Sequence, residues 1–202
     1  MAEEFVDFRR ELAVMVYVDR TREGAFPTME TVQDNHVCDV VFPADVDGSN
    51  VAIQAVKSVG GYGLFGVELF ESKDGQLLVN ELAPRPHNTG HYTLDWGGVS
   101  QFEQHIRIVM GLPPAPLDGV EAAMANLIGQ DGPMNWRRGL SAAISSDPAV
   151  RVHWYGKEES RAGRKMGHIN AVGSDAVSRV KAARERFYLE AFGLVPQLTD
   201  PG

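Results

Sequence analysis

Short apolar runs rich in β-branched residues recur along the chain between polar loops, a pattern typical of β-strands. The runs are six to eight residues long, which is the usual length of a strand. We predict strands at 12–18, 28–33, 37–42, 63–70, 76–82, 121–128, 150–155 and 166–172.

Apolar residues repeat at helical spacing in three other segments. The first follows Asp47 and Ser49, either of which can cap it, and it stops at a glycine pair. The second begins with the capping box Ser100–Glu103 and ends at Gly111. The third runs from about 174 to 191. In the first two helices the apolar positions lie on one face, formed by Val51, Ala55, Val56 and Val59 and by Phe102, Ile106, Val109 and Met110.

The mixture of strands and helices predicts an α+β protein. The segment LPPAPLDG separates the second helix from the later strands, and its prolines are typical of a linker. We therefore predict two domains, at 1–117 and 118–202, the second being small, rich in β-structure and closed by the terminal helix.

Composition and charge narrow the function. Of the 202 residues 44% are hydrophobic and 23% charged, as in an ordinary globular protein, and the net charge of −8 argues against a nucleic-acid-binding surface. A single cysteine, Cys38, favours a reducing compartment, so we expect a cytoplasmic protein. No signal peptide or apolar run of membrane-spanning length is present in the sequence, and we expect no membrane association.

A local excess of basic residues stands out in this acidic chain. The segment 151–165 contains five basic residues and only two acidic ones. An anionic ligand needs such a site, although a solvated basic turn would have the same composition. The basic residues are Arg151, Lys157, Arg161, Arg164 and Lys165.

Two glutamates lie in the strands 63–70 and 76–82. The dipeptide Asp74-Gly75 between the strands favours a hairpin with a two-residue type I′ turn, and this register places Glu68 opposite Glu81. Opposed carboxylates in a buried hairpin repel each other, and a bound magnesium ion would compensate. Another register, or a structural pairing of one glutamate with lysine or arginine, remains an alternative.

Two long motifs identify a family. The stretch from Gly66 to Pro113 contains ELF, NELAPRPHNTGH and SQFEQH, and the stretch 153–170 contains HWYGKEESRAGRKMGHIN. Both resemble signature regions of the 5-(carboxyamino)imidazole ribonucleotide synthase family of purine (IMP) biosynthesis, and the resemblance covers essentially the whole chain. It implies the C-terminal part of an ATP-grasp domain followed by a small β-rich domain of the rudimentary hybrid-motif type.

The resemblance also implies a nucleotide site. Glu68 and Glu81 match the glutamates that hold magnesium against the ATP phosphates, which agrees with the hairpin argument. Glu3 matches the residue beside the adenine, and Glu11 the one that binds the ribose hydroxyls. Ala83 stands where many other ATP-grasp enzymes have a metal-binding asparagine.

The substrate residues follow in the same way, as matches to Arg85, His87, Asn88, Lys157 and Arg164. The implied reaction uses ATP to convert bicarbonate to carboxyphosphate, which then carboxylates the amine of aminoimidazole ribonucleotide. Lys157 and Arg164 suit the phosphate of that substrate, and Arg85 suits the carboxyphosphate anion. Because magnesium prefers oxygen ligands, we assign no zinc to the histidines.

Family members also have an N-terminal portion that carries the phosphate-binding lysines, and the resemblance predicts that this portion is missing here. An alternative to the full activity is therefore an inactive fragment, or a half-enzyme that needs a separate N-terminal chain. A split through one domain leaves exposed sheet edges, so homodimer formation is one expected outcome.

Overall fold

The computed structural model describes residues 5–193. The chain forms two compact units, one comprising 1–32 and 42–119 and the other comprising 33–41 and 120–202. The α+β class predicted from the sequence is confirmed. Within 5–193 none of the helices is long and apolar enough to cross a membrane.

The elements of the first unit are β1 Phe8–Val18, β2 Glu23–Ala25, β3 Met29–Asp34, α1 Ser49–Ser58, β5 Gly63–Ser72, β6 Leu77–Ala83, the 3-10 helix Asn88–Leu94 and α2 Gln101–Val109. The strands form an antiparallel sheet in the order β6-β5-β1-β3, and the short β2 also pairs with β1.

One face of this sheet is apolar and packs on α1. Side chains alternate between the two faces of a strand, so every second residue of β1 and β5 points towards the helix. Ala52 and Val56 of α1 are fully buried against them. The cluster also contains Leu12, Val14, Val16, Val18, Phe65, Val67 and Leu69. The opposite face of the same strands carries buried apolar residues such as Met15 and Leu64 together with the carboxylates Glu11 and Glu68.

The hairpin between β5 and β6 differs from the prediction at its turn. Ser72 pairs with Gln76 through the Ser72 N–H, which donates to the Gln76 carbonyl at 2.9 Å, so the loop has three residues rather than two. Gly75 takes the left-handed conformation with φ 82°, as expected for a type I turn with a G1 bulge. The two-residue type I′ turn was therefore wrong, because an Asp-Gly dipeptide is compatible with both loops.

A β-bulge then restores the predicted register at the carboxylates. Near the turn Leu69 pairs with Val79, but beyond it Glu68 pairs with Glu81, so Asn80 is an extra residue in β6. Without this bulge the longer loop would place Glu68 opposite Asn80. The predicted pairing of Glu68 with Glu81 is confirmed, although a different turn produces it.

The expectation that both strands of this hairpin are well buried is confirmed for β5 and was wrong for β6. β6 is an edge strand, and Val79, Asn80 and Glu81 are all exposed. Apolar residues flank the glutamates in the sequence, but an edge strand buries less of its surface than a central one. Solvent therefore reaches the carboxylate pair from the β6 side.

Helix α2 turns its apolar face outward. Ser100 caps it, accepting the N–H of Glu103 at 3.1 Å as the capping box predicts. The fully buried positions, however, are Gln101, Gln104 and Ile108, and two of these are polar. The exposed apolar residues are Phe102, Ile106, Val109 and Met110.

The elements of the second unit are β4 Val37–Pro43, β7 Ala122–Ile128, α3 Trp136–Ser146, β8 Arg151–Trp154, β9 Lys165–Val172 and α4 Ala176–Phe192. Its strands are antiparallel in the order β4-β7-β9-β8. Helix α4 packs on β7 and β9, and Phe187 and Val180 are buried there.

Helix α3 was not predicted from the sequence. Its sequence includes Gly139, which weakens a helical signal. The structure explains this glycine, since a Cβ atom there would lie 2.8 Å from the Cβ of Ala191 and 2.9 Å from the Phe187 carbonyl oxygen. The close approach of α3 and α4 therefore requires glycine at 139, and this same glycine weakens the helical pattern of α3 in the sequence.

An ion pair connects the ends of these two helices. Arg179 of α4 donates from Nε to Asp147 at 2.7 Å and from Nη2 at 3.3 Å, and Asp147 follows α3 directly. The hydrogen bond from Arg179, followed by that from the Ala149 N–H, holds the pKa of Asp147 below its usual value.

We predict that Asp147→Asn lowers the free energy of unfolding at pH 7 by about 0.5–1 kcal/mol. Because the folded-state pKa is depressed, this stability is present above the unfolded pKa and is lost as the pH falls through the folded value. Urea unfolding of parent and variant at pH 7 and in acid should show the two converging as the pH falls. Asp118→Asn, at an exposed position, is the control. A difference that persists in acid would contradict the ion-pair explanation.

Candidate active site

Three of the predicted carboxylates share the face of the first unit's sheet that lies opposite α1. Directly paired residues in antiparallel strands point to the same side. Glu11 of β1 pairs with Phe70, and Ala13 pairs with Glu68, which in turn pairs with Glu81. The sheet register therefore places Glu11, Glu68 and Glu81 on one surface.

His87 joins the carboxylate pair. Its Nε2 atom lies 3.6 Å from Oε1 of Glu68, and the two side chains are 13% and 29% exposed. The ring sits above Gly66, where a Cβ atom would come within 2.5 Å of the Cβ of His87. Its Nδ1 atom is 2.9 Å from the Thr89 hydroxyl. Gly66 thus makes room for the histidine beside Glu68.

The other loop residues lie close by in sequence but are more open. Arg85 is exposed, and its guanidinium donates to the Pro86 carbonyl at 3.2 Å. Asn88 is half-buried at the start of the 3-10 helix. Glu3, the expected adenine neighbour, lies outside the described residues.

An apolar cavity of about 370 Å³ opens in the first unit beside Glu11's strand partner Phe70. Phe8 and Phe70 stack in parallel there, with ring centroids 4.4 Å apart. Leu78 and Val79 of the edge strand complete one side of it. Such a flat apolar slot next to a carboxylate could accept an aromatic base and its sugar.

The basic cluster forms a separate cavity in the second unit. Lys157 and Arg164 both line an open cavity of about 500 Å³. The Lys157 ammonium donates to the Lys165 carbonyl, and the Arg164 guanidinium donates to the Glu159 carbonyl at 3.0 Å. The other lining residues are Gly156, Glu158, Glu159 and Arg161.

The loop that carries these basic residues is anchored to the end of β7. The Gly129 N–H donates to the Arg164 carbonyl at 2.7 Å, and the Gln130 N–H donates to the Ser160 hydroxyl at 3.0 Å. Asp131 accepts the Ala162 N–H at 3.0 Å. These bonds hold the backbone of the cavity in place, so the loop is more than a solvated turn.

The donor set fits a hard cation that completes its coordination with ligand phosphates. In 5–193 no group of three or more His, Cys, Asp or Glu residues could hold a metal alone. Glu68 and Glu81 supply oxygen ligands on neighbouring strands, and magnesium commonly takes one or two carboxylates with phosphates and waters.

Gln101 lies in the SQFEQH motif and was not among the predicted site residues. It is fully buried, and its side chain hydrogen-bonds the backbone of His87. A polar residue at the buried position of a helix is the signal that could have found it.

Comparison with known families agrees with the motifs. The ATP-grasp domain family matches residues 1–102, and the phosphoribosylaminoimidazole carboxylase C-terminal domain family matches residues 122–182. Among curated relatives, an N5-carboxyaminoimidazole ribonucleotide synthase from Mycobacterium tuberculosis is 43% identical over 196 residues, covering 91% of this chain and 46% of its own.

Solved structures show the same fold. An N5-carboxyaminoimidazole ribonucleotide synthetase from Thermotoga maritima has a TM-score of 0.79 and 37% identity, covering 93% of this chain and 53% of that one. An N5-carboxyaminoimidazole synthase from Aspergillus clavatus, in complex with ADP and 5-aminoimidazole ribonucleotide, has a TM-score of 0.76 and 31% identity, covering 91% and 51%. The chain spans between 33% and 50% of the length of the first curated relatives it matches.

Proposed function

Because this chain belongs to the ATP-grasp family, we propose that it forms part of an enzyme that carboxylates aminoimidazole ribonucleotide at the expense of ATP. The substrates are ATP, bicarbonate and aminoimidazole ribonucleotide, and the product is N5-carboxyaminoimidazole ribonucleotide of purine biosynthesis. The names and ligands of the relatives support this choice of substrates within the family.

The observation that carries the proposal is the carboxylate pair with its histidine. Glu68 and Glu81 face each other across two strands, and His87 lies 3.6 Å from Glu68. Glu68 and Glu81 hold magnesium, which when bound neutralises charge on the ATP phosphates during phosphoryl transfer. The rigid sheet fixes the spacing of the two carboxylates, so that the nucleotide meets a preorganised site.

The remainder of the nucleotide site lies along the same face of the sheet. Glu11 accepts hydrogen bonds from the ribose hydroxyls, and the apolar slot at Phe8 and Phe70 packs against the adenine. The family resemblance assigns Glu3, which lies outside the described residues, to adenine binding. The order along β1, with the aromatic slot before Glu11, supports this direction of binding.

Two sets of residues, one in each unit, are assigned to the second substrate. Lys157 and Arg164 bind the phosphate of aminoimidazole ribonucleotide, since an ammonium and a guanidinium are its natural partners. His87 and Asn88 orient its reacting end, and the exposed Arg85 binds it and stabilises the carboxyphosphate anion. The protein thus acts by positioning and charge neutralisation.

A chimeric enzyme tests the function. In it this chain replaces the matching part of the Mycobacterium tuberculosis relative, whose own enzyme serves as the positive control. We expect ADP formation that requires both bicarbonate and aminoimidazole ribonucleotide, with the carboxylated product detected directly. ADP formation that does not depend on aminoimidazole ribonucleotide would contradict the proposed substrate assignment. A folded chimera that does not hydrolyse ATP would contradict the proposed reaction.

A further inference from the structure

We propose that Gln101 is a positioning residue that clamps the backbone at His87 and thereby holds the imidazole against Glu68. The clamp itself is a property of the described fold, whereas its effect on catalysis rests on the proposed function. Gln101 lies in the first turn of α2, and its side chain bonds to the loop that carries His87.

Both backbone groups of His87 bond to the same side chain. The His87 N–H donates to Oε1 of Gln101 at 2.9 Å, and Nε2 of Gln101 donates to the His87 carbonyl at 2.8 Å. These two bonds restrain rotation of the backbone about His87, and the Gly90 N–H also donates to the His87 carbonyl at 3.0 Å. Because Gln101 is fully buried, water offers no replacement partner, which makes the loss of these bonds costly.

The same amide also reaches further along the loop. Its Nε2 atom is 2.8 Å from Nδ1 of His91, which therefore accepts, so that neutral His91 carries its proton on Nε2. Thr93 ties the other end, because its hydroxyl accepts the Gln101 N–H at 2.9 Å and donates to the Gly90 carbonyl at 2.6 Å. The side-chain amide of Gln101 thus bonds to His87 and His91, and the backbone N–H of the same residue bonds to Thr93.

The packing around the clamp leaves little freedom. A Cβ atom on Gly90 would lie 2.6 Å from Oε1 of Gln101, so only glycine lets the amide reach the His87 backbone. The ring of His87 packs directly against the backbone of Gly66, in the space that a Cβ atom at this position would occupy. His87 is therefore held between two close approaches that only glycine permits, at Gly90 on the loop and at Gly66 on the sheet.

Helix α2 supplies a matched control one turn later. Gln104 is also fully buried, and it clamps Ala115 in the same manner. Its Oε1 accepts the Ala115 N–H at 2.9 Å, and its Nε2 donates to the Ala115 carbonyl at 3.2 Å. Ala115 is outside the proposed site. The two glutamines therefore separate a general effect on folding from an effect on the site.

Amide hydrogen exchange of the 202-residue chain tests the clamp without reference to activity. In Gln101→Met we expect the His87 N–H to exchange about 5- to 10-fold faster while the Ala115 N–H is unchanged, and the converse in Gln104→Met. In Gln101→Glu the His87 N–H keeps an acceptor, so its exchange should lie between parent and Gln101→Met. Equal acceleration at both amides in Gln101→Met would overturn the proposal.

The chimeric enzyme then tests the consequence for catalysis. Gln101→Met should lower kcat/KM for aminoimidazole ribonucleotide about tenfold or more and leave the KM for ATP unchanged, with partial recovery in Gln101→Glu. Gln104→Met should leave both constants unchanged. Faster His87 exchange without any change in kcat/KM would overturn the positioning role. An inactive chimera would count against the proposed function, while the exchange data would still decide the clamp.

Discussion

Replacing Glu81 by glutamine in the chimeric enzyme is expected to lower kcat for carboxylation by a factor of about 100 or more. The amide keeps the size of the side chain and removes its charge, so the position opposite Glu68 no longer neutralises a cation on the ATP phosphates. Glu68→Gln should have an effect of the same order. The measurement is kcat at saturating substrates over a magnesium titration.

The same titration contains the control. Glu103→Gln removes a carboxylate of α2 that pairs with Arg107 at 2.7 Å and has no place in the proposed site, so kcat should stay within about twofold. We also expect the variants of Glu68 and Glu81 to need more magnesium for half-maximal activity. Full activity of Glu81→Gln at ordinary magnesium would remove this residue from the metal site.

Loss of either basic residue of the second unit's cavity is expected to raise the KM for aminoimidazole ribonucleotide. A charge-assisted hydrogen bond to phosphate contributes about 1.5–3 kcal/mol, so Lys157→Ala or Arg164→Ala should raise this KM by roughly 10- to 150-fold. The KM for ATP should change little. Initial rates with each substrate varied in turn give both constants.

Arg151 provides the comparison for this pair. It belongs to the same basic stretch of sequence, but it lies on β8 and does not line the cavity. Arg151→Ala should leave the KM for aminoimidazole ribonucleotide unchanged. If Arg151→Ala raises this KM as much as Arg164→Ala does, net charge rather than a built anion site is responsible.

Motifs and local pattern predicted much of this structure. The opposition of Glu68 and Glu81 followed from a hairpin argument on the sequence, and most strand positions agree within a few residues. The details of the turn did not follow. The three-residue loop and the bulge at Asn80 shift the pairing of β6 with β5 by one residue in opposite directions. Only the observed pairing of the two strands reveals them both.

Other features depend on tertiary contacts that no local pattern contains. The capping box predicted the start of α2, whereas the buried polar face at Gln101 and Gln104 exists because these side chains bond to distant backbone. Gly139 similarly weakened the helical pattern of α3, and its role follows only from the packing of α3 against α4. The sequence shows which polar side chains could form hydrogen bonds, and the tertiary structure determines which backbone groups they contact.

The bulge at Asn80 also affects which changes of chain length this hairpin tolerates. It lies between the turn and the carboxylates, so it separates the pairs near the loop from the pair of Glu68 and Glu81. An insertion or deletion of one residue at 73–75 would shift the outer pairs, and gain or loss of an extra residue at the bulge can absorb that shift. Homologous hairpins of different length can therefore keep the same two carboxylates opposite each other.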